Sequence, residues 1–145
     1  MTDMPKHSVS VAGIVINEKD QVLLIQRRDN GRWEAPGGVL ELEETLEDGV
    51  KREVFEETGV SVDVERLSGT YKNLSRGIIA LVFRCRPLSG TPHPTDESAH
   101  AGWFDLHDAL SRMSEAYAVR VTDAFTETPP VRHHDGVTVT RSLPT

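Results

Sequence analysis

The sequence predicts an α/β sandwich, and two patterns lead to this expectation. Short apolar, β-rich runs follow one another along the chain and are separated by turn signals. Two other segments show the spacing of apolar residues that is typical of amphipathic helices. Because strands and helices are mixed in this order, they are expected to pack as layers around one core. With 145 residues, the chain has the length of a single domain, residues 1–145.

The composition narrows the classes of function. Twenty-three acidic residues outnumber sixteen basic ones, which gives a net charge of −7. A protein with this charge is a poor polyanion binder, so DNA binding is not expected. A divalent cation can still bridge an acidic protein to a phosphate group.

The sequence indicates a cytoplasmic protein. Cys85 is the single cysteine, so no intrachain disulfide can form, in agreement with a reducing compartment. The first residues lack the apolar region of a secretory signal. The longest apolar runs have the length of strands, well below the roughly 20 residues that span a membrane.

The N-terminal third is predicted to form strands and turns. Residues 8–16 and 22–25 are apolar, and the polar residues 18–20 lie between them, so these runs form a hairpin or neighbouring strands. Turn signals follow at residues 29–31 and 36–38.

The first predicted helix runs from about Thr45 to Thr58. Thr45 has an acidic residue three positions later, a weak capping-box pattern, and Gly59 is a typical helix stop. Leu46, Val50 and Val54 recur at i, i+4 and i+8 and form one apolar stripe that faces the core.

The C-terminal half is predicted to contain strands at residues 60–64, 78–84 and 102–106 and a proline-containing loop at 90–95. A second helix begins at Ser114 and ends near Phe125. Residues 131–140 suggest a terminal hairpin, with His133 and His134 on its surface. These two histidines are adjacent on a strand and point to opposite faces, so they are not expected to share a metal ion.

Three carboxylates cluster on the first predicted helix. Glu53, Glu56 and Glu57 stand at i, i+3 and i+4, so they share one helix face, where like charges repel. A bound cation would relieve this repulsion, and oxygen ligands suit Mg²⁺, or Mn²⁺ as a substitute. The alternative is a solvated acidic surface on which Arg52 pairs with Glu56.

The spacing of these residues forms a specific motif. Glu44 follows Gly38 after five residues, and seven more residues lead to the run R-E-V-F-E-E-T-G-V. Residues 38–60 therefore resemble the Nudix box, G-x5-E-x7-R-E-U-x-E-E-x-G-U, where U is aliphatic, at every defined position. The resemblance implies a Nudix-type α/β/α sandwich with a mixed β-sheet.

The same resemblance implies a function. It points to Mg²⁺-dependent hydrolysis of a diphosphate linkage in a small-molecule nucleoside diphosphate derivative, such as a nucleoside triphosphate, ADP-ribose or a nucleotide sugar. The alternative is a non-catalytic nucleotide-binding or regulatory module with the Nudix fold. Such modules typically carry damaged boxes, whereas this box is intact. A homodimer is suggested by the family alone.

The resemblance also implies residue roles. The positions of Glu56 and Glu57 ligate metal in the family, and that of Glu53 often does. The carbonyl of Gly37 can join the metal shell, and Arg52 orients a glutamate, with Glu44 as its partner. Because Arg52 is adjacent to Glu53, helix geometry is expected to direct it about 100° away from Glu53.

Residues outside the box are weaker candidates. Glu97 could be a further metal ligand, or an ordinary loop acid. Glu57, Glu56 or Glu97 would take the proton from the attacking water, and the sequence leaves these three alternatives open. Arg27, Arg28 and Arg76 could bind phosphate, with surface charge as the alternative. Trp33 and Tyr71 could stack on a base, with core packing as the alternative.

Overall fold

The computed structural model describes residues 3–140, which form two β-sheets and three helices. The strands are β1 (Ser8–Val15), β2 (Val22–Arg27), β3 (Trp33–Glu34), β4 (Gly37–Val39), β5 (Ser61–Asn73), β6 (Ile78–Ser89), β7 (Ser98–Phe104) and β8 (Val131–His134). The helices are α1 (Leu46–Thr58), α2 (Leu106–Arg112) and α3 (Glu115–Asp123).

The larger sheet is mixed, as predicted. Its five strands lie in the order β4-β1-β6-β5-β8. The pairs β1–β6 and β5–β8 are parallel, whereas β1–β4 and β5–β6 are antiparallel. Strands β3, β2 and β7 form a second, antiparallel sheet that was not predicted from the sequence.

Strand β1 divides the core into two layers, because successive side chains of a strand point to opposite faces. Val11 and Val15 pack in the same cluster as Val50 and Val54 of α1. Residues on the other face of β1 belong to a second cluster, which includes Val121 of α3. Helix α1 and helix α3 thus cover opposite faces of the structure, which is the sandwich arrangement predicted from the sequence.

The ends of α1 match the sequence expectation closely. The hydroxyl of Thr45 accepts a hydrogen bond from the backbone N–H of Asp48 at 3.1 Å. Gly59 ends the helix in the left-handed region, at φ 82°. This conformation suits glycine because it has no Cβ. The helix that carries the box carboxylates therefore has two well-defined ends.

The predicted pairing of β1 with β2 is formed only in part. Strands β1 and β2 do not form a regular hairpin, because they belong to different sheets and share only the antiparallel bridge between Ile16 and Val22. Both edges of β1 are already paired, with β4 and β6.

Helix α2 was not predicted, although its apolar residues Leu106, Ala109 and Leu110 have helical spacing. No helix in the described part of the chain is long and apolar enough to cross a membrane.

The predicted C-terminal hairpin is present in a short form. Strand β8 pairs in parallel with β5 at the edge of the large sheet, and the chain turns back at residues 135–138 to form an antiparallel bridge between His134 and Val139. Because β8 packs on the sheet edge, its alternating residues have different surroundings. His133 is exposed, but His134 is 1% exposed, so the surface position predicted for His134 was wrong.

Cys85 of β6 lies in the core and is expected to be chemically inert. Burial, with smaller contributions from the charges of Glu65 and Asp63, raises the pKa of its thiol to about 12. The thiolate is the reactive species, so a thiol reagent should label the folded protein very slowly and the guanidinium-unfolded protein completely. Labelling of the folded protein at the rate of a free thiol would contradict this placement.

Candidate active site

Two of the three box carboxylates share a cavity. Glu53 and Glu57 of α1 line a cavity of about 510 Å³ together with β4 and the loop that precedes β7. Both side chains are nearly buried, at 9% and 6% exposure. Asp96 and Glu97 line the cavity from that loop. Glu56 does not line it, and its side chain is 58% exposed on the outer side of the helix.

Glu57 is held in a specific orientation. The backbone N–H of Gly37 donates to its Oε1 at 2.6 Å, which connects α1 to β4. The pKa of Glu57 is raised to about 8, mainly by burial; the hydrogen bond from Gly37 opposes the rise, and the charges of Glu53, Glu34 and Glu97 add to it. This carboxylate therefore lies where a positive ion would stabilise its charged form.

Arg52 connects the loop before α1 to the box carboxylates. Its Nε and Nη2 donate to the two oxygens of Glu44 at 2.9 and 2.6 Å, the contact that the resemblance implied. This bidentate pair lowers the pKa of Glu44 to about 2. Nη1 also donates to Glu53 at 2.9 Å, so the expectation that Arg52 points away from Glu53 was wrong. The long side chain folds back, although the two Cβ atoms diverge. A longer contact of 3.3 Å reaches Glu56.

Gly38 allows Glu53 to lie against β4. A Cβ atom built at Gly38 would come within 2.7 Å of the Glu53 carboxyl carbon and both of its oxygens. Any side chain at this position would displace the carboxylate from the cavity. The first glycine of the box is therefore required by close approach and not by a turn.

Glu97 approaches the cavity from a loop that β2 anchors. The N–H of Arg28 donates to the Glu97 carbonyl at 3.1 Å, and its Nε donates to the Thr95 carbonyl at 2.9 Å. Arg28 thus fixes the backbone of the loop. The Glu97 side chain remains exposed, and its carboxylate has no hydrogen-bond donor among residues 3–140.

The candidate substrate residues have different surroundings. Arg27 lines the cavity but pairs with Asp29 at 2.6 Å and with Glu34 at 3.2 Å. Trp33 packs edge-on against a phenylalanine ring and beneath a guanidinium group, which favours a packing role. Arg76 is exposed and lines a neighbouring cavity. Tyr71 is fully buried, in agreement with the core-packing alternative.

The donors of this cavity fit a hard divalent ion. Its metal-binding side chains are carboxylates, without histidine or cysteine, and such oxygen ligands suit Mg²⁺ or Mn²⁺. Within residues 3–140, no three of these side chains are already close enough to form a ligand set. At the cavity wall Glu53 lies against Gly38 and Glu57 against Gly37, and Glu97 or Glu56 would have to approach them to complete a ligand set.

Several residues of this region were not found from the sequence. Asp96 lines the same cavity as Glu97, but an acidic loop residue gives no distinctive signal. Arg120 of α3 is buried, and the sequence pattern of its helix could have indicated this position. It falls between Tyr117, Val121 and Ala124 in the apolar stripe of its helix, where a charged residue breaks the pattern.

Comparison with known proteins identifies the family. Residues 6–125 match the NUDIX domain family. The chain belongs to the Nudix family. As a Nudix hydrolase, it is an enzyme that acts on acid anhydrides of phosphorus in small nucleotide derivatives, and enzymes of this family generally use divalent metal ions.

Individual Nudix proteins resemble the chain over most of its length. A MutT-like protein of Streptomyces ambofaciens is 54% identical over 93% of this chain and 88% of its own length. An ADP-ribose pyrophosphatase of Methanocaldococcus jannaschii is 38% identical over 70% of this chain and 63% of its own length. The crystal structure of an ADP-ribose pyrophosphatase from Streptococcus suis superimposes with a TM-score of 0.71, at 27% identity, over 87% of this chain and 99% of that chain.

Proposed function

We propose that this Nudix hydrolase is a Mg²⁺-dependent pyrophosphohydrolase that cleaves the diphosphate linkage of a nucleoside diphosphate derivative. The observation that carries the proposal is the pair of nearly buried carboxylates, Glu53 and Glu57, which line one cavity with Glu97. The names of the archaeal relative and of the streptococcal structure, both ADP-ribose pyrophosphatases, support a substrate of this class.

Glu53 and Glu57 are the residues we assign to holding the metal ion. Each is oriented by one donor, Arg52 for Glu53 and the Gly37 N–H for Glu57. When bound, the ion offsets negative charge on the phosphoryl groups and lowers the pKa of water. Glu56 can join from the helix surface, where it is the most exposed of the three.

Glu97 is the carboxylate we assign to accepting the proton of the attacking water. Its oxygens have no hydrogen-bond donor in the described part of the chain, so they are available to a water molecule in the cavity. Glu53 and Glu57, in contrast, each accept a strong hydrogen bond. Little covalent chemistry is required of the protein in phosphoryl transfer, so positioning and charge account for most of the rate.

The test is a panel of nucleoside triphosphates, ADP-ribose, nucleotide sugars and dinucleoside polyphosphates, assayed for phosphate or nucleotide release with Mg²⁺. Activity on some member should vanish in EDTA and return with excess Mg²⁺ or Mn²⁺, because the carboxylates would otherwise repel the substrate. Full activity in EDTA would contradict the proposal. Binding of a nucleotide without hydrolysis in saturating Mg²⁺ would instead identify a non-catalytic module.

A further inference from the structure

A second, smaller cavity adjoins the carboxylate cavity. It encloses about 180 Å³ and shares Arg27, Gly37 and Gly38 with its neighbour. This volume is below the roughly 300–1,000 Å³ of sites that hold a whole drug-sized ligand, so it fits one part of a ligand. A diphosphate beside Glu57 would place the attached group next to this second cavity.

Arg120 lines this cavity as a buried cation that forms no ion pair among the described residues; the carboxylate of Glu34, which lines the same cavity, acts on it over a longer distance. It is 9% exposed, and no carboxylate of residues 3–140 lies within 4.0 Å of it. Within the same residues, its Nε has no hydrogen-bond partner. Buried charges in proteins are normally paired, so an unpaired guanidinium that lines a cavity indicates a ligand that supplies the missing acceptors.

Two aromatic rings hold the guanidinium in place. Its central carbon lies 4.9 Å from the ring centre of Tyr71 and 4.6 Å from that of Tyr117. The Tyr71 hydroxyl donates to Asp123 at 2.7 Å, and Asp123 in turn forms a bidentate pair with Arg132. The planar donor group therefore packs against two rings, of which Tyr71 is itself held by a hydrogen bond, and its edge is the part that can meet a ligand.

His134 adds a second donor beside Arg120. Its Nδ1 accepts a hydrogen bond from the N–H of Gly136 at 2.9 Å, so the neutral ring carries its proton on Nε2. That Nε2 lies 3.5 Å from Nη2 of Arg120. Both atoms are then donors, and neither satisfies the other. The two groups converge on a position that an acceptor-rich edge would fill.

The walls of the cavity favour a planar heterocycle over a phosphate group. Ala12, Ala35 and Ala80 supply apolar surface. Glu34, which also lines the cavity, carries a carboxylate that would repel an anion but could accept from an amino group. A site with apolar walls, one aromatic ring and a few oriented polar groups is typical of small-molecule sites.

We propose that this cavity binds the base of the substrate and that Arg120 makes the site selective for guanine. Guanine presents two adjacent acceptors, O6 and N7, that a guanidinium contacts in bidentate fashion. Adenine places an amino donor at position 6, which would face the donors of Arg120 and His134. The inference rests on the proposed function, because the cleaved diphosphate must lie beside Glu57 for its base to reach Arg120.

The first measurement compares kcat/KM for matched pairs, GTP against ATP and GDP-ribose against ADP-ribose. The wild-type enzyme should prefer guanine by roughly 10- to 100-fold, the discrimination of a good bidentate contact. Arg120→Lys keeps the positive charge and the ring contacts but loses the planar guanidinium. Arg120→Met removes the positive charge and the guanidinium. Each variant should reduce the ratio of kcat/KM for the guanine substrate to that for the adenine substrate to near 1.

The second measurement is the unfolding temperature in EDTA, with and without GDP or ADP. GDP should raise the unfolding temperature of the wild type but not that of Arg120→Met. Because Arg120 is buried and forms no ion pair among residues 3–140, Arg120→Met should unfold at or above the wild-type temperature, whereas loss of a purely structural arginine would lower it. Arg84→Met is the matched control, since Arg84 also stacks on a ring, that of Phe125, away from the cavity. This control should keep the guanine preference.

The outcomes separate the two proposals. If no nucleotide is hydrolysed with Mg²⁺, the proposed function fails, and the comparison of GDP with ADP in EDTA still tests the guanine site. Equal kcat/KM for both bases, or a guanine preference that survives in both Arg120 variants, overturns the inference. Pyrophosphate that raises the unfolding temperature as much as GDP does, through Arg120, would show an anion site and would also overturn it.

Discussion

Replacing Glu57 with Gln is expected to lower kcat by roughly 10²-fold or more, the loss that follows removal of one key electrostatic group from an active site. The amide has nearly the size of the carboxylate. Its oxygen can still accept the hydrogen bond that the Gly37 N–H donates to Glu57 at 2.6 Å. The contact between α1 and β4 should therefore survive while the negative charge is lost. The Mg²⁺ concentration for half-maximal activity should also rise.

The measurement consists of kcat and Mg²⁺ titrations for Glu57→Gln, Glu56→Gln and the control Glu47→Gln. Glu47 lies in the first turn of the same helix and is exposed, so its variant should match the wild type in both quantities. Glu56→Gln should show the same kind of loss, as the resemblance implies, although Glu56 does not line the cavity. Near-normal turnover of Glu57→Gln with an unchanged Mg²⁺ dependence would refute the assignment of Glu57 as a metal ligand.

Replacing Arg52 with Lys is expected to lower kcat clearly, with a smaller change in Mg²⁺ affinity than Glu57→Gln produces. The guanidinium contacts Glu44 through two nitrogens and Glu53 through a third. A lysine ammonium cannot reproduce this planar set of donors, so Glu53 would lose part of its orientation while the charge at this position is kept. The effect should therefore fall on turnover more than on folding.

Lys51→Ala serves as the control, because Lys51 is the exposed neighbour on the same helix and lies outside the contact network of Glu44 and Glu53. The unfolding temperature of each variant separates loss of orientation from loss of the fold. Wild-type turnover in Arg52→Lys would mean that Arg52 is only a solvated helix charge, and its orienting role would have to be abandoned.

The parts of the structure that depend on local spacing were predictable from the sequence. Thr45 and Gly59 mark the ends of α1, because capping and left-handed termination depend on residues within one helical turn. Val50 and Val54 face the core for the same reason. The box spacing is specific enough to indicate the family without any tertiary contact.

Contacts between distant segments were harder to predict from the sequence. The assignment of β2 to a second sheet and of β8 to the edge beside β5 depends on which strand edges are left unpaired after folding. His134 was expected on the surface because a strand pattern gives two faces but does not say which face is covered. Arg52 reached Glu53 because a long, flexible side chain can fold back across the helix direction that its Cβ defines.

The sequence by itself determined the helix α1, the placement of its carboxylates at i, i+3 and i+4, and the membership in the Nudix family that follows from the box spacing. Only the tertiary structure separated Glu53 and Glu57, which line the cavity, from the exposed Glu56, and only it brought Arg120 of α3 beside His134 of β8. The physical reason is that helical periodicity fixes directions within one element, whereas burial and the pairing of charges depend on the elements that pack against it.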